Sequence, residues 1–132
     1  MSAPIFIEPV INREPGDCTI SCLVMWTGKP YPEVIAAAPA GAHKWGMFNK
    51  QIIATAATLG TTLVRRRKFD VSAEEGILVL NPVPAKGRPS HAVILLNGKV
   101  LDPYNGRLWL DVETFLRVER WKVGELLTEE DA

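Results

Sequence analysis

Several features that characterise common classes of protein are missing from this sequence. Basic and acidic residues balance, with 15 of each, so there is no basic surplus of the kind that general binding to nucleic acid or an anionic membrane requires. No apolar run approaches the ~20 residues of a membrane-spanning helix, and the N-terminal segment lacks the basic and long apolar stretches of a signal peptide. We therefore expect a cytoplasmic protein with no membrane span and no nucleic-acid partner.

Cysteine and histidine are also scarce, and this limits the chemistry of the chain. Cys18 and Cys22 are four residues apart, which on a helix places them one turn apart on one face and disfavours a structural disulfide. With only His43 and His91 besides, the chain offers too few suitably spaced ligands for a zinc site. We expect no metal and no cofactor, and either a reactive cysteine or two core cysteines.

The sequence contains enough apolar residues to form a core, since they make up 47% of its 132 residues. No repeat or linker divides the chain. This predicts one domain over residues 1–132. Residues 17–60 carry the spacing and end signals of helices, whereas residues 61–124 indicate short strands with one further helix. We therefore predict an α+β fold in which a helical half packs on an antiparallel sheet.

The individual elements are predicted from apolar spacing and turn residues. The predicted helices run from Cys18 to near Gly28, over 32–38, over 46–59 and over 112–118. The predicted strands cover 61–66, 76–80, 91–96, 99–102, 107–110 and 119–123. A short extended segment is predicted over 4–10, loops over 39–44 and 85–89, and a frayed acidic tail after Glu125. Asp17 and Asp111 are the predicted N-cap residues of the first and last helices.

Cys18 is placed where a cysteine can be reactive. It follows Asp17 and so begins the first turn of a helix, where the positive end of the helix dipole favours the thiolate, the nucleophilic form. Cys22, one turn later, is expected to face the core. A single cysteine is more often a small buried hydrophobe than a nucleophile, so the interpretation depends on the neighbours that the fold gives to Cys18.

A predicted hairpin supplies such neighbours. Asn97-Gly98 is a typical two-residue turn, and it brings Val93 opposite Asp102. Because side chains alternate along a strand, His91 shares a face with Val93 and is diagonal to Asp102, within reach of a hydrogen bond. The sequence therefore predicts a base, His91, oriented by the Asp102 carboxylate, which is the arrangement that activates a nucleophile. The alternative is that Asp102 is only a turn residue.

The same residues fall in three segments, in the order cysteine, histidine, aspartate. The segments are 16–25 (Gly-Asp-Cys-Thr-Ile-Ser-Cys-Leu-Val-Met), 90–96 (Ser-His-Ala-Val-Ile-Leu-Leu) and 100–103 (Val-Leu-Asp-Pro). They resemble the papain-like peptidase domains that trim double-glycine leader peptides in bacteriocin-exporting ABC transporters. Those domains typically show Asp-Cys-Gly-x-Ala-Cys-Leu-x-Met, a His-Phe/Ala-Val-Val strand and an Asp-Pro segment. The resemblance spans nearly the whole chain.

This resemblance implies a papain-like cysteine peptidase fold and an acyl-enzyme mechanism without a cofactor. Cys18 would be the nucleophile, His91 the base and Asp102 the orienting carboxylate, acting on a peptide or protein substrate. The family carries an oxyanion-hole glutamine six residues before the nucleophile, where this chain has Asn12, one methylene shorter. The backbone N–H of Cys18 would be the second donor. Thr19 replaces the usual glycine and is expected to narrow the cleft. Other residues expected along the cleft are Asp17, Trp45 and Tyr104.

Three functions remain open at this stage. The first is a cysteine peptidase. The second is a deamidase or transglutaminase-like acyltransferase, which applies the same triad to a glutamine side chain. The third is a catalytically inactive peptide-binding module. The basic residues 65–68 are interpreted as charges on an edge strand, where they prevent its pairing with a strand of another chain. All four tryptophans (Trp26, Trp45, Trp109 and Trp121) are interpreted as core anchors, and Trp45, which lies in a predicted loop, is the one best placed to line the cleft instead.

Overall fold

The computed structural model describes residues 9–13, 16–83 and 89–129. The helices are α1 (Cys18–Thr27), α2 (Tyr31–Ala37), α3 (Ala42–Trp45), α4 (Asn49–Thr58) and α5 (Val112–Glu119). The strands are β1 (Leu63–Arg66), β2 (Glu75–Pro82), β3 (His91–Leu96), β4 (Lys99–Asp102), β5 (Arg107–Trp109) and β6 (Trp121–Glu129). The predicted α+β class is confirmed. Most of the predicted extended segment 4–10 and of the loop 85–89 lies outside the described residues.

The strands form one antiparallel sheet in the order β1-β6-β2-β3-β4-β5. The last strand, β6, therefore lies in the interior of the sheet, between β1 and β2. This corrects two predictions, because the strand neither stops at residue 123 nor frays after Glu125. Leu126 and Leu127 are both fully buried, one on each side of the sheet, and their burial holds this part of the chain in the sheet.

Both faces of the sheet are covered. On one face α1, α2 and α4 bury a core that includes Ile20, Ile52 and Ile94. On the other face α5 buries Phe115 against Val93 and neighbouring strand residues. The nearly continuous apolar run of β3 follows from this, since each of its alternating side chains meets a core. Within the described ranges, no helix combines the length and the apolar character that crossing a bilayer requires.

The segment between α2 and α4 differs from its predicted structure. The sequence predicts a loop over 39–44, but α3 forms there, and Gly41 at its start adopts a left-handed conformation (φ 82°) that a glycine accommodates without strain. Gly46, which also has a positive φ (77°), ends α3. The next helix consequently begins at Asn49 and not at residue 46. The side chain of Gln51 accepts the Phe48 backbone N–H at 2.9 Å and so fixes this helix start.

The turn between β3 and β4 has the predicted geometry. Asn97 and Gly98 both have positive φ, at 50° and 87°, as a type I′ turn requires. Leu96 pairs with Lys99, and the register continued along the strands brings Val93 opposite Asp102. The hairpin therefore fixes the relation between the start of β3 and the end of β4, where two of the candidate site residues lie.

Candidate active site

His91 and Asp102 are in direct contact at one end of the sheet. The Nε2 atom of His91, the first residue of β3, lies 2.8 Å from Oδ1 of Asp102, the last residue of β4. The carboxylate is buried, with 3% of the residue exposed, and Oδ1 also accepts the backbone N–H of Tyr104 at 3.0 Å. The predicted diagonal contact is thus present, and Asp102 is held by both a ring and a backbone donor.

Cys18 lies close enough to His91 for a hydrogen bond between the two side chains. It is the first residue of α1, is partly exposed and is a free thiol. Because Asp102 occupies Nε2 of His91, Nδ1 is the ring nitrogen left for the Cys18 sulfur. The imidazole is therefore held between a carboxylate and a thiol, with a proton acceptor on either side.

The charges around His91 favour its protonated form. Burial by itself would lower the pKa of His91, but the hydrogen bond with Asp102 and the hydrogen bond and charge of Cys18 raise it, from the ordinary 6.5 to about 9. At neutral pH the ring is consequently an imidazolium. A protonated imidazole beside a cysteine is the arrangement that favours the thiolate, the reactive form of cysteine.

Trp121 completes the surroundings of His91. Its ring stacks on the imidazole with centroids 5.2 Å apart and an angle of 26° between the planes. Trp121 also packs against the core on the α5 side of the sheet, as its interpretation as a core anchor predicts. Its contact with His91 is not predicted from the sequence, because Trp121 begins β6 and reaches His91 only when β6 lies beside β2. The indole restricts the imidazole to one orientation and shields one face of the ring from water.

Asn12 is the residue for which the sequence resemblance predicts an oxyanion-donor role. It lines a cavity together with Cys18, and its backbone N–H donates to Pro103 O at 2.8 Å. Its Oδ1 accepts the hydroxyl of Ser21 at 2.7 Å. Among the described residues, no acceptor for Nδ2 of Asn12 is found.

Asp17 has a different role from the two that were predicted. It occupies the N-cap position of α1 but makes no capping hydrogen bond with its side chain, and it is fully buried away from the cleft. Its carboxylate instead accepts the Arg13 backbone N–H at 2.9 Å and the Tyr31 hydroxyl at 2.8 Å. Asp17 thereby holds the loop that carries Asn12. It also leaves the first N–H groups of α1, including that of Cys18, without a side-chain cap.

Two cavities meet at Cys18 and His91. One, of about 430 Å³, is lined by Thr19 and, apart from His91, by uncharged and mostly apolar side chains of α3, α4 and the sheet. The other, of about 650 Å³, is more polar and is lined by Asn12, Lys44, Asp102, Tyr104 and Glu119. Trp45 borders both cavities and is 86% exposed. Of the predicted cleft residues, Thr19, Trp45 and Tyr104 line these cavities and Asp17 does not.

Other titratable residues belong to the scaffold. Cys22 is fully buried, and burial followed by the charge of Cys18 raises its pKa well above the ordinary value, so it stays a thiol. β1 is an edge strand, and its Arg65 and Arg66 pair with Glu125 and Glu74. In residues 9–13, 16–83 and 89–129 no group of three or more histidine, cysteine or acidic side chains is arranged to hold a metal ion.

A scan against protein-family models found no match to this chain, and no curated protein matches it. The chemistry of the site is therefore inferred from its geometry. A partly exposed thiol, an imidazole held by a carboxylate, and an amide side chain that lines the same cavity are the components of nucleophilic acyl transfer.

Proposed function

We propose that this protein is a cysteine hydrolase on a papain-like fold, which cleaves a peptide or isopeptide bond through an acyl-enzyme. The observation that carries the proposal is the position of His91 between Cys18 and the buried Asp102 carboxylate. The order of the cysteine, histidine and aspartate segments and their resemblance to leader-trimming peptidase domains also support the proposal. The two free cysteines fit a reducing compartment, so the proposed location is the cytoplasm.

The acylation step uses the groups that face the cleft. The Cys18 thiolate attacks the carbonyl carbon of the substrate and forms a carbon–sulfur bond. The carbonyl oxygen becomes an oxyanion, which the backbone N–H of Cys18 and Nδ2 of Asn12 stabilise by hydrogen bonds. The His91 imidazolium then donates its proton to the leaving nitrogen as the carbon–nitrogen bond breaks, which releases an amine and leaves a thioester on Cys18.

Hydrolysis of the thioester returns the site to its starting state. The neutral imidazole of His91 takes a proton from water, and the hydroxide formed attacks the thioester carbon. Cys18 leaves as a thiolate beside the regenerated imidazolium. Asp102 stabilises the charged ring in both steps and keeps Nδ1 directed at the sulfur and at the water.

The two cavities suggest which parts of the substrate they accept. The uncharged cavity matches the acyl side with an apolar side chain, because burial of such a chain is favourable there. The polar cavity matches the leaving side, where a new amino group appears and takes up a proton. Glu119 and Lys44 both line this cavity, so it offers a charge of each sign, and Glu119 is the one that can pair with the new amino group.

The test is alkylation by iodoacetamide across pH, followed by mass spectrometry, in the wild type and in His91→Ala, with Cys22→Ala as the control. Rapid labelling of Cys18 at neutral pH that His91→Ala slows is the expected result. Labelling at the rate of an ordinary thiol, unchanged in His91→Ala, overturns the proposal and leaves a binding module. Fluorogenic peptides and ammonia release from glutamine peptides then separate hydrolysis from the deamidase alternative.

A further inference from the structure

Ser21 is an unusual residue for its position. It is fully buried in α1, between Ile20 and Cys22, in a helix whose other core-facing side chains are mostly apolar. Burial of a hydroxyl is unfavourable unless it forms a hydrogen bond. In the leader-trimming domains that this chain resembles, the corresponding position is typically alanine and the oxyanion residue is glutamine. Here both positions differ, as serine and asparagine.

The two residues that differ from the family pattern, Ser21 and Asn12, contact each other. The Ser21 hydroxyl donates to Oδ1 of Asn12 at 2.7 Å. Ser21 is three residues after Cys18 and therefore lies on the same face of the helix as the thiol. A helical serine otherwise bonds the carbonyl oxygen four residues before it, so the contact with Asn12 is a specific use of this hydroxyl. It ties the amide group of Asn12 to the helix that carries Cys18.

We propose that Ser21 is a positioning residue which orients the Asn12 amide so that Nδ2, and not Oδ1, meets the oxyanion. This inference rests on the proposed hydrolase function. An asparagine amide presents either a donor or an acceptor after a half-turn about its last bond, and an acceptor would repel an oxyanion. In the structure the Ser21 hydroxyl donates to Oδ1 and so leaves Nδ2 as the end of the amide that can meet the oxyanion. Because a hydroxyl can also accept from an N–H, Ser21 holds the amide in place, and the repulsion between Oδ1 and an oxyanion selects this orientation over the flipped one. Asn12 and Ser21 together take the place of one longer glutamine.

A second contact fixes the main chain of the same residue. The Asn12 backbone N–H donates to the carbonyl oxygen of Pro103, which directly follows Asp102. The Asn12 backbone is thus hydrogen-bonded to the segment that follows Asp102, and its side chain is hydrogen-bonded to α1, the helix that begins with Cys18. With both ends held, the remaining freedom of Asn12 is small, and Nδ2 is aimed by the fold before substrate binds.

The test compares two reagents that differ in their need for an oxyanion donor. Acetyl-phenylalanyl-glycinal forms a hemithioacetal with the thiol and places an oxyanion in the site, whereas iodoacetamide alkylation forms no oxyanion. The variants are Ser21→Ala, Asn12→Gln and the double variant, each checked for folding by thermal unfolding. Ser21→Ala is expected to weaken aldehyde binding by up to ~10²-fold and to leave the alkylation rate of Cys18 unchanged.

The double variant distinguishes a positioning role of Ser21 from a purely structural one, because only a positioning role predicts that aldehyde binding recovers. Asn12→Gln in the presence of Ser21 crowds the hydroxyl, whereas in Ser21→Ala the longer amide reaches the site unaided. Aldehyde affinity is therefore expected to recover in the double variant relative to Ser21→Ala. Losses of aldehyde affinity that simply add up in the double variant would overturn the inference. So would equal aldehyde affinity in Ser21→Ala and the wild type. A wild-type protein that neither alkylates rapidly nor binds the aldehyde overturns the proposed function, and this inference with it.

Discussion

Two cysteines one turn apart on the same helix show how strongly position decides chemistry. Cys22 is fully buried in the core, where burial raises its pKa and no base contacts it among the described residues. Cys18 is partly exposed, borders both cavities and faces His91. The residue type is the same and the distance along the chain is four residues. What differs is the neighbour that the sheet supplies, which is an oriented imidazolium for Cys18 and packed apolar side chains for Cys22.

The largest effect is expected from removing each thiol in turn. Cys18→Ala removes the proposed nucleophile and is expected to lower peptide hydrolysis by ~10³-fold or more, with little change in stability. Cys22→Ala leaves a small cavity in the core and is expected to lower the free energy of unfolding by about 1–2 kcal/mol while activity is kept. Hydrolysis assays and urea unfolding of both variants check this. Equal activity in the two variants would remove the distinction between the cysteines.

The next largest effect concerns the base. His91→Ala removes the cation beside Cys18 and is expected to slow alkylation at neutral pH by ~10²-fold or more. Cys22 is expected to stay unlabelled in both proteins until they are unfolded in denaturant. Mass spectrometry of the labelled peptides measures both sites in one sample. Labelling of Cys22 in the native wild type would show that its burial does not protect it.

The pH range of the active state is expected to follow His91. Its pKa in the folded protein is about 9, above the 6.5 of an unfolded chain, so the stabilisation by its charge is complete below 6.5 and is lost as pH rises through about 9. Activity that needs the imidazolium as proton donor is expected to fall over the same upper range. Titration of the His91 ring by NMR measures the midpoint. In Asp102→Asn the midpoint is expected to move to lower pH, because the neutral amide no longer stabilises the cation.

A smaller effect is expected at the rim of the cleft. Trp45 is 86% exposed and borders both cavities, whereas Leu110 is 73% exposed and lines neither. Trp45→Ala is expected to raise KM by ~10-fold with kcat nearly unchanged, since it removes apolar contact area for substrate without touching the reacting atoms. Leu110→Ala is the matched control and is expected to leave both constants unchanged. A fall in kcat alone for Trp45→Ala would contradict a role in substrate binding.

The parts of the site that the sequence predicts are those formed by local rules. The contact of His91 with Asp102 follows from a two-residue turn and from strand alternation, both of which act within about a dozen residues. The position of Cys18 at a helix start follows from the residues beside it. The fold class follows from the different patterns of the two halves of the chain.

The parts that the sequence does not predict depend on contacts between distant segments. Asp17 has the local character of a helix cap, but Tyr31 and the Arg13 backbone hold its carboxylate elsewhere. Trp121 meets His91 only through the placement of β6 beside β2, which no local signal specifies. Ser21 did leave a signal, because a polar residue one turn from a cysteine on an otherwise apolar helix needs a partner. Only the folded chain identifies Asn12 as that partner.

The interior position of β6 has a consequence for synthesis of the protein. Cys18, His91 and Asp102 all leave the ribosome before residues 121–129, yet the sheet is interrupted between β1 and β2 until that strand arrives. Pairings of such long sequence separation form late and only once the whole segment is available. A nascent chain therefore carries Cys18 and His91 before it has Trp121 over the imidazole, and the complete site is expected to assemble only as β6 inserts.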